Sequence, residues 1–192
     1  NYEPGQFVEI GLPSGKSDSR GVRRSFSVTS HPGQKDISLG IKFYEPSSSF
    51  KKQLRALPIG SQIQIVNYGG DFVLPKNNKM PLLYVAGGIG VTPFVSHVTA
   101  LKAAKEARDI VLVYAVNSPS ELAYAKRLED AGIKVVIVSP DKPIDLPKSW
   151  RYLKGSRLTK ELLETAAGDI PTRVAYVSGP TPFVQSVKKS LR

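Results

Sequence analysis

Leu82-Leu83-Tyr84-Val85-Ala86-Gly87-Gly88-Ile89-Gly90-Val91-Thr92-Pro93 is the stretch that decides the fold. Residues Leu82 to Ala86 form a continuous apolar run, glycines follow, and Pro93 opens a helical segment that runs to about Ala107. A buried strand, a glycine turn and a helix start, in that order, form the context in which a turn binds phosphate. Glycines let the backbone approach an anion, and the amides exposed at the helix start point toward it. Proline in the first turn loses no bond the helix needs. A tight turn without a ligand uses the same residues, so the rest of the chain has to decide.

Toward the C-terminus the same grammar repeats. Ile110 to Val116 and Lys134 to Val138 read as buried strands, with a helix between them near Ser120 to Ala131. Leu158 to Ala167 is helical, Val174 to Ser178 is a fourth strand, and Pro182 to Leu191 is a last helix. Apolar strands alternating with helices predict a doubly wound α/β domain, its parallel sheet covered on both faces. Toward the N-terminus the grammar is different. Gln6 to Gly11, Ser25 to Thr29, Ile37 to Phe43 and Gln62 to Val66 alternate, punctuated by Pro13, Gly15, Pro32, Gly33, Pro58 and Gly60. That pattern predicts a small antiparallel β-barrel or sandwich. Ser47 to Leu57 is a helix within it, with Phe50, Leu54 and Leu57 at helical spacing behind a serine cap. The polar segment Pro75 to Met80 is the linker. The expected domains are residues 1–78 and 79–192.

Composition removes several function classes. The 192 residues are 41% hydrophobic, which suits globular domains, and they contain no cysteine. Thiolate zinc sites, cysteine-held iron–sulfur clusters and disulfides are therefore excluded for this chain. His31 and His97 lack acidic or cysteine neighbours, so no metal site is expected. The most apolar stretch, Pro81 to Val98, is too broken by glycine and proline to span a bilayer. The net charge of +11 is scattered, with short blocks such as Arg23-Arg24 and Lys51-Lys52. It favours acidic partners, anionic cofactors or an anionic membrane face. No recognition motif or aromatic-interleaved basic run points to nucleic acid.

Three further segments carry chemistry. In Arg24-Ser25-Phe26-Ser27-Val28-Thr29-Ser30, Arg24 can fork onto a phosphate, Phe26 can lie against a flat ring, and a serine hydroxyl can donate to a ring nitrogen. A half-buried strand with a solvated arginine has the same alternation. In Tyr176-Val177-Ser178-Gly179-Pro180-Thr181-Pro182-Phe183, Ser178 falls at the carboxyl end of a parallel strand, the edge where ligands of open α/β sheets collect. Ser47-Ser48-Ser49-Phe50-Lys51 offers hydroxyls and free amides to a second phosphate, or is a capped surface helix with solvated lysines.

Taken in order, these segments resemble the ferredoxin–NADP reductase-like superfamily of flavoproteins over nearly the whole chain. Pro4-Gly5-Gln6-Phe7-Val8 is similar to the barrel strand preceding the flavin motif, and Arg24-Ser25-Phe26-Ser27 with Ser30 to the flavin signature. Ser49 to Leu54, ending in Gly60, resembles the element carrying the FAD pyrophosphate. Gly69-Gly70-Asp71-Phe72 with Leu74-Pro75 resembles the lead into the second domain, and Gly87 to Pro93 the dinucleotide turn. Ser178-Gly179-Pro180 stands at the family's Cys-Gly-Pro.

The resemblance implies an NAD(P)H-dependent oxidoreductase in which hydride passes from NADH or NADPH to FAD. Arg24 would pair with the flavin pyrophosphate, Phe26 would pack on the flavin, and Ser27 would hydrogen-bond near N5. Ser47, Ser48 and Ser49 would help hold the pyrophosphate. Gly87, Gly88, Gly90 and Thr92, with Ser178, Gly179 and Pro180, would receive the dinucleotide. Ser25, Ser30 and Ile41 complete the cofactor-binding set, and Ser27 and Ser178 are the catalytic candidates. Three features depart from the pattern: Phe26 replaces a commoner tyrosine, Ser178 replaces cysteine, and the triple serine replaces a more glycine-containing pattern that bears on FAD against FMN. The chain begins after the first barrel strand and stops before the final strand and aromatic tail, so a domain of a longer polypeptide is expected.

Reduced flavin would then release electrons singly to an acceptor: an iron–sulfur or haem protein, a quinone or a fused membrane module. The expected setting is cytoplasmic, alone or as part of a membrane-associated protein. A non-catalytic nucleotide-binding module, regulatory or tethering, is the alternative. A flavin-free dehydrogenase ranks last, because it leaves the first half without a purpose. Asn117-Ser118-Pro119-Ser120 holds neither an acid for a ribose hydroxyl nor an arginine for a 2′-phosphate. Arg157 can reach such a phosphate or be solvated, so NADH against NADPH stays open.

Overall fold

In a computed structural model, which describes residues 2–13 and 18–192, the deciding stretch is the centre of a five-stranded parallel sheet. Asn1 and residues 14–17, including the expected turn glycine Gly15, lie outside the described residues. Strand β4 (Leu82–Gly87) is buried along its whole length. The sheet also contains β5 (Ile110–Ala115), β6 (Lys134–Ser139), β7 (Arg151–Lys154) and β8 (Val174–Ser178), in the order β7-β6-β5-β4-β8. The chain steps outward from β4 to β7 and then returns to the other side of β4. That reversal puts a crevice at the carboxyl ends of β4 and β8.

Alternation along the strands feeds two cores. Leu82, Tyr84, Ala86, Leu112, Tyr114 and Ile137 meet helix α2 (Thr92–Ala103) and helix α3 (Ala125–Asp130). On the other face Leu83, Val85, Val113, Val136 and Val138 meet Leu163 of α4 (Lys160–Ala167) and Val187 of α5 (Thr181–Ser190). This is the predicted doubly wound domain.

The N-terminal unit is a three-stranded antiparallel sheet, β2-β1-β3, built from β1 (Phe7–Gly11), β2 (Arg23–Ser27) and β3 (Gln64–Gly69). Helix α1 (Ser49–Ala56), capped by Ser48, covers it with Phe50 over Val8, Ile10 and Val28. The barrel expected here is thus small and not closed among the described residues.

Four local expectations need correction. Ile37 to Phe43 forms no strand beyond one bridge, Val28 to Leu39. Gly40 is instead pressed against Thr92 and Tyr124 of the second unit, leaving no room for a Cβ, so packing across the junction replaces a ladder. Helix α2 stops at Ala103 because Lys105 turns left-handed (φ 54°) and the Glu106 amide bonds back to the Leu101 carbonyl. The helix near Ser120 divides into a 3-10 turn at Pro119–Glu121 and α3, with Tyr124 at φ 62° between them. Strand β7 is additional: Arg-Tyr-Leu-Lys on a half-exposed edge shows neither an apolar run nor clean alternation.

The two units are joined through buried polar contacts. His97 on α2 is fully buried, its Nε2 2.9 Å from the Phe72 carbonyl and its Nδ1 3.0 Å from the Tyr84 hydroxyl. Since a carbonyl only accepts, Nε2 carries the proton and Tyr84 donates to Nδ1. Tyr176 donates to the Val73 carbonyl (2.7 Å), Arg108 to that of Pro75 (2.8 Å), and Ser96 to that of Ser30 (2.9 Å). Gly5, at φ 93°, lies so close to Phe72 O and His97 Nε2 that no side chain fits.

Burial holds His97 neutral, lowering its pKa from 6.5 to about 4. Unfolding between these pH values takes up a proton, so stability present above pH 6.5 is lost as pH falls toward 4. The full effect is about 3 kcal/mol. Urea unfolding at pH 7 and pH 5 is expected to show about 2 kcal/mol of this loss, and His97→Gln to flatten it; an unchanged pH slope in the variant would remove the assignment.

Candidate functional site

A cavity of about 1070 Å³ lies between the two units, at the carboxyl ends of the parallel strands. Its floor is the meeting of two turns. After β4 the chain makes a 3-10 turn, Gly88–Val91, and enters α2 with no side-chain cap on either start. Main-chain amides at such a start remain free to bind an anion. Gly88 is at φ 54°, a conformation that favours glycine, and a Cβ there would meet nothing within 4 Å. Gly90 differs: a Cβ on it would lie 2.5 Å from Ser178 O and 2.6 Å from Gly179 Cα. The turns after β4 and β8 therefore touch main chain to main chain. Thr92 is 6% exposed and donates to the Ile89 carbonyl (3.1 Å), which fixes the turn.

Of the residues singled out in the sequence, Ser25, Phe26, Ser27, Gly87, Gly88, Gly90, Thr92, Ser178, Gly179 and Pro180 line this cavity. Phe26 lies 6.3 Å from Phe50, ring centre to ring centre. The hydroxyls of Ser25 and Ser27 make no hydrogen bond to protein groups among the described residues.

The others do not line this cavity, and most of them have partners within the protein. Arg24 is 7% exposed. Its Nη2 makes a forked pair with Asp18 (2.5 and 2.6 Å), and its Nη1 donates to the carbonyls of Arg20, Gly21 and Arg23. Its guanidinium sits 5.1 Å over the Phe50 ring. The Arg20 amide and then Arg24 hold the Asp18 carboxyl below the usual carboxylate range. Ser30 is buried, accepting from the Ser38 amide and bonding Tyr2. Ile41 is half-buried and does not line the cavity. Ser47 bonds the Tyr44 carbonyl, Ser48 caps α1, and Ser49 donates to Asp18 (3.2 Å).

A cationic wall not anticipated from the sequence stands near those serines. Arg20, Lys42 and Lys51 line the cavity beside Tyr44. Lys51 Nζ donates to the Lys42 carbonyl (2.6 Å) and lies 4.5 Å from the centre of the Tyr44 ring. Desolvation, and then the neighbouring charges of Arg20 and Lys42, lower the Lys51 pKa. Lys42 pairs across the junction with Glu121 (2.8 Å). The three cations are scattered in sequence and meet only on folding, so no local motif announces them. Arg157, with Ser156, lines the far end of the same cavity, and no carboxylate pairs with it among the described residues.

A cavity of this size, cationic on one wall and amide-rich on its floor, fits an anionic dinucleotide and a flavin nucleotide. Among the described residues no cluster of three His, Cys, Asp or Glu is placed to hold a metal. His31 bonds the Pro32 carbonyl region through Nδ1 (2.7 Å) and His97 is core. No helix is long and apolar enough to cross a membrane.

Residues 84–189 match the family model described as the oxidoreductase NAD-binding domain. The chain is 25% identical over 194 residues to the stachydrine N-demethylase reductase subunit of Rhizobium meliloti, covering all of this chain and 54% of that protein. It spans about half the length of the curated relatives it matches. The cytochrome b5 reductase domain of Ulva prolifera nitrate reductase superimposes with a TM-score of 0.80 at 19% identity, over all of this chain and 80% of that one. The flavohem-like FAD/NAD-binding domain of Vibrio cholerae nitric oxide dioxygenase gives 0.76 at 21%, over 100% and 79%. The fold is therefore that of these reductase and FAD/NAD-binding domains.

Gly90→Ala is expected to cost about 1–3 kcal/mol by overpacking the Ser178–Gly179 turn. Urea unfolding checks this, and a midpoint equal to wild type would show that the turns have room to separate.

Proposed function

Because the chain belongs to the oxidoreductase NAD-binding domain family, we propose that it is a reductase module passing hydride from NADH or NADPH to FAD, and electrons onward to a redox acceptor. Residues 1–78 carry the flavin in this reading and residues 79–192 the dinucleotide. The observation that carries it is the single cavity bounded by Phe26 and Ser27 on one side and the Gly87–Gly90 and Ser178–Pro180 turns on the other.

When bound, the flavin supplies both hydride acceptance and one-electron release. The chain supplies positioning and charge. The amides of Gly88 to Gly90, at the uncapped start of the 3-10 turn, receive the dinucleotide pyrophosphate. Arg20, Lys42 and Lys51 take the flavin's phosphates alongside Arg24, which Asp18 holds in place. Phe26 gives the flavin ring an apolar seat, and Ser27 offers an uncommitted hydroxyl to a ring nitrogen. Ser178 stands at the nicotinamide end, a hydroxyl where a thiol is usual. Holding two rings face to face is where most of the rate comes from.

The acceptor is an iron–sulfur or haem protein, a quinone or a membrane module on the same polypeptide, met in a cytoplasmic setting. The relatives support a protein acceptor: one is a reductase subunit of a demethylase, and one neighbour is a domain of a nitrate reductase. The net charge of +11 favours an acidic acceptor.

Purified protein supplied with FAD is expected to show bound-flavin absorption that bleaches anaerobically with NADH or NADPH. The nucleotide that bleaches faster is the physiological one. Persisting bands would remove the hydride path, and absence of bound flavin would remove the flavin assignment. Lys51→Met is expected to weaken FAD about tenfold, the loss of one charge-assisted contact, measured by flavin fluorescence titration. Unchanged affinity would take Lys51 out of the site.

A further inference from the structure

The turns after β4 and β8 share one aromatic ring. A Cβ on Gly87 would lie 2.8 Å from Phe183 Cδ1 and 2.9 Å from Cγ, and a Cβ on Gly179 would lie 2.8 Å from the same Cδ1. Gly87 has φ −111° and ψ 110°, ordinary extended backbone open to any residue. Conformation does not require glycine there; the Phe183 ring does. Phe183 stands in the first turn of α5 and lines the cavity, and below it packs on the core that holds Val85 and Val187. Gly179 is also against Gly90, and a Cβ on it would lie 3.2 Å from Gly87 Cα. One ring and close main-chain contacts thus hold the two turns together.

We propose that Phe183 is a positioning residue for hydride transfer: its ring packs on both the Gly87 and the Gly179 turns, and so fixes the backbone that shapes the cavity where the nicotinamide is held. This rests on the dinucleotide reading above. Hydride transfer depends steeply on the distance and alignment of the two rings. The contacts proposed for the pyrophosphate, at Gly88 to Gly90, do not involve Phe183. Rate and affinity should therefore separate.

The test uses the full chain with FAD and four variants: Phe183→Ala, Phe183→Leu, Gly87→Ala and the double variant Gly87→Ala/Phe183→Ala. Phe183→Ala is expected to lower the limiting rate of flavin bleaching at saturating nucleotide about tenfold or more, with Phe183→Leu between it and wild type. The affinity for ADP-ribose, which lacks the nicotinamide, should stay within about threefold by calorimetry. Gly87→Ala should slow bleaching and lower the thermal midpoint, because its methyl meets the ring. In the double variant that methyl has room, so it should be no slower than Phe183→Ala alone. A wild-type limiting rate in Phe183→Ala, or additive effects in the double variant, would overturn the proposal. Should Phe183→Ala fail to fold, a Gly87→Ala protein with wild-type rate and midpoint overturns it equally. Failure of the wild type to bind ADP-ribose is a separate result: it removes the dinucleotide reading itself, and this inference with it.

Discussion

No methyl group fits between Gly90 and the Ser178–Gly179 peptide. That contact is possible only because β4 and β8 are neighbours in the sheet, with Ala86 opposite Ser178 in register. Strand order therefore precedes the site: only where the chain reverses direction across the sheet do two strand ends come together with free main chain on both. The buried, uniformly apolar β4 fixes that position from both faces, and the glycines convert it into a surface a ligand can approach closely.

The second condition is that the small unit be held over this edge. Its own core is modest, four buried residues and their neighbours. The junction is made instead by buried side chains of the larger unit that bond to main-chain carbonyls of Ser30, Phe72, Val73 and Pro75. Carbonyl groups buried without partners are costly, so these bonds select one docking geometry among many with similar apolar contact. His97 belongs to this scheme. Its two ring nitrogens read a donor on one side and an acceptor on the other, and only one neutral tautomer satisfies both.

Much of this was legible in the sequence, for physical reasons that differ by residue. Leu82 to Gly90 announces itself because a doubly covered strand needs an unbroken apolar run, and close main-chain approach needs glycine. Both leave marks in consecutive residues. Strand β7 left none, since an edge needs only one good face and Tyr152 and Leu153 share theirs with flanking cations. The alternation at Ile37 to Phe43 misled, because Gly40 spends that segment on contacts with Thr92 and Tyr124 rather than on a ladder. The fold also gives Arg24 partners that a linear reading does not foresee: Asp18, six positions earlier, and three carbonyls. Arg20, Lys42 and Lys51 were invisible as a group because their nearness is purely tertiary.

That crowding of positive charge links loading to folding. Three cations brought together repel, and burial together with Arg20 and Lys42 lowers the pKa of Lys51. On the proposed reading, a phosphate-bearing cofactor is their counter-ion as well as the carrier of electrons. Whatever binds only the folded state raises its stability in proportion to the logarithm of its concentration. The lifetime of this protein in a cell would then follow the supply of flavin: a starved cell would degrade its idle reductase, and a replete one would accumulate it, with no transcriptional control required.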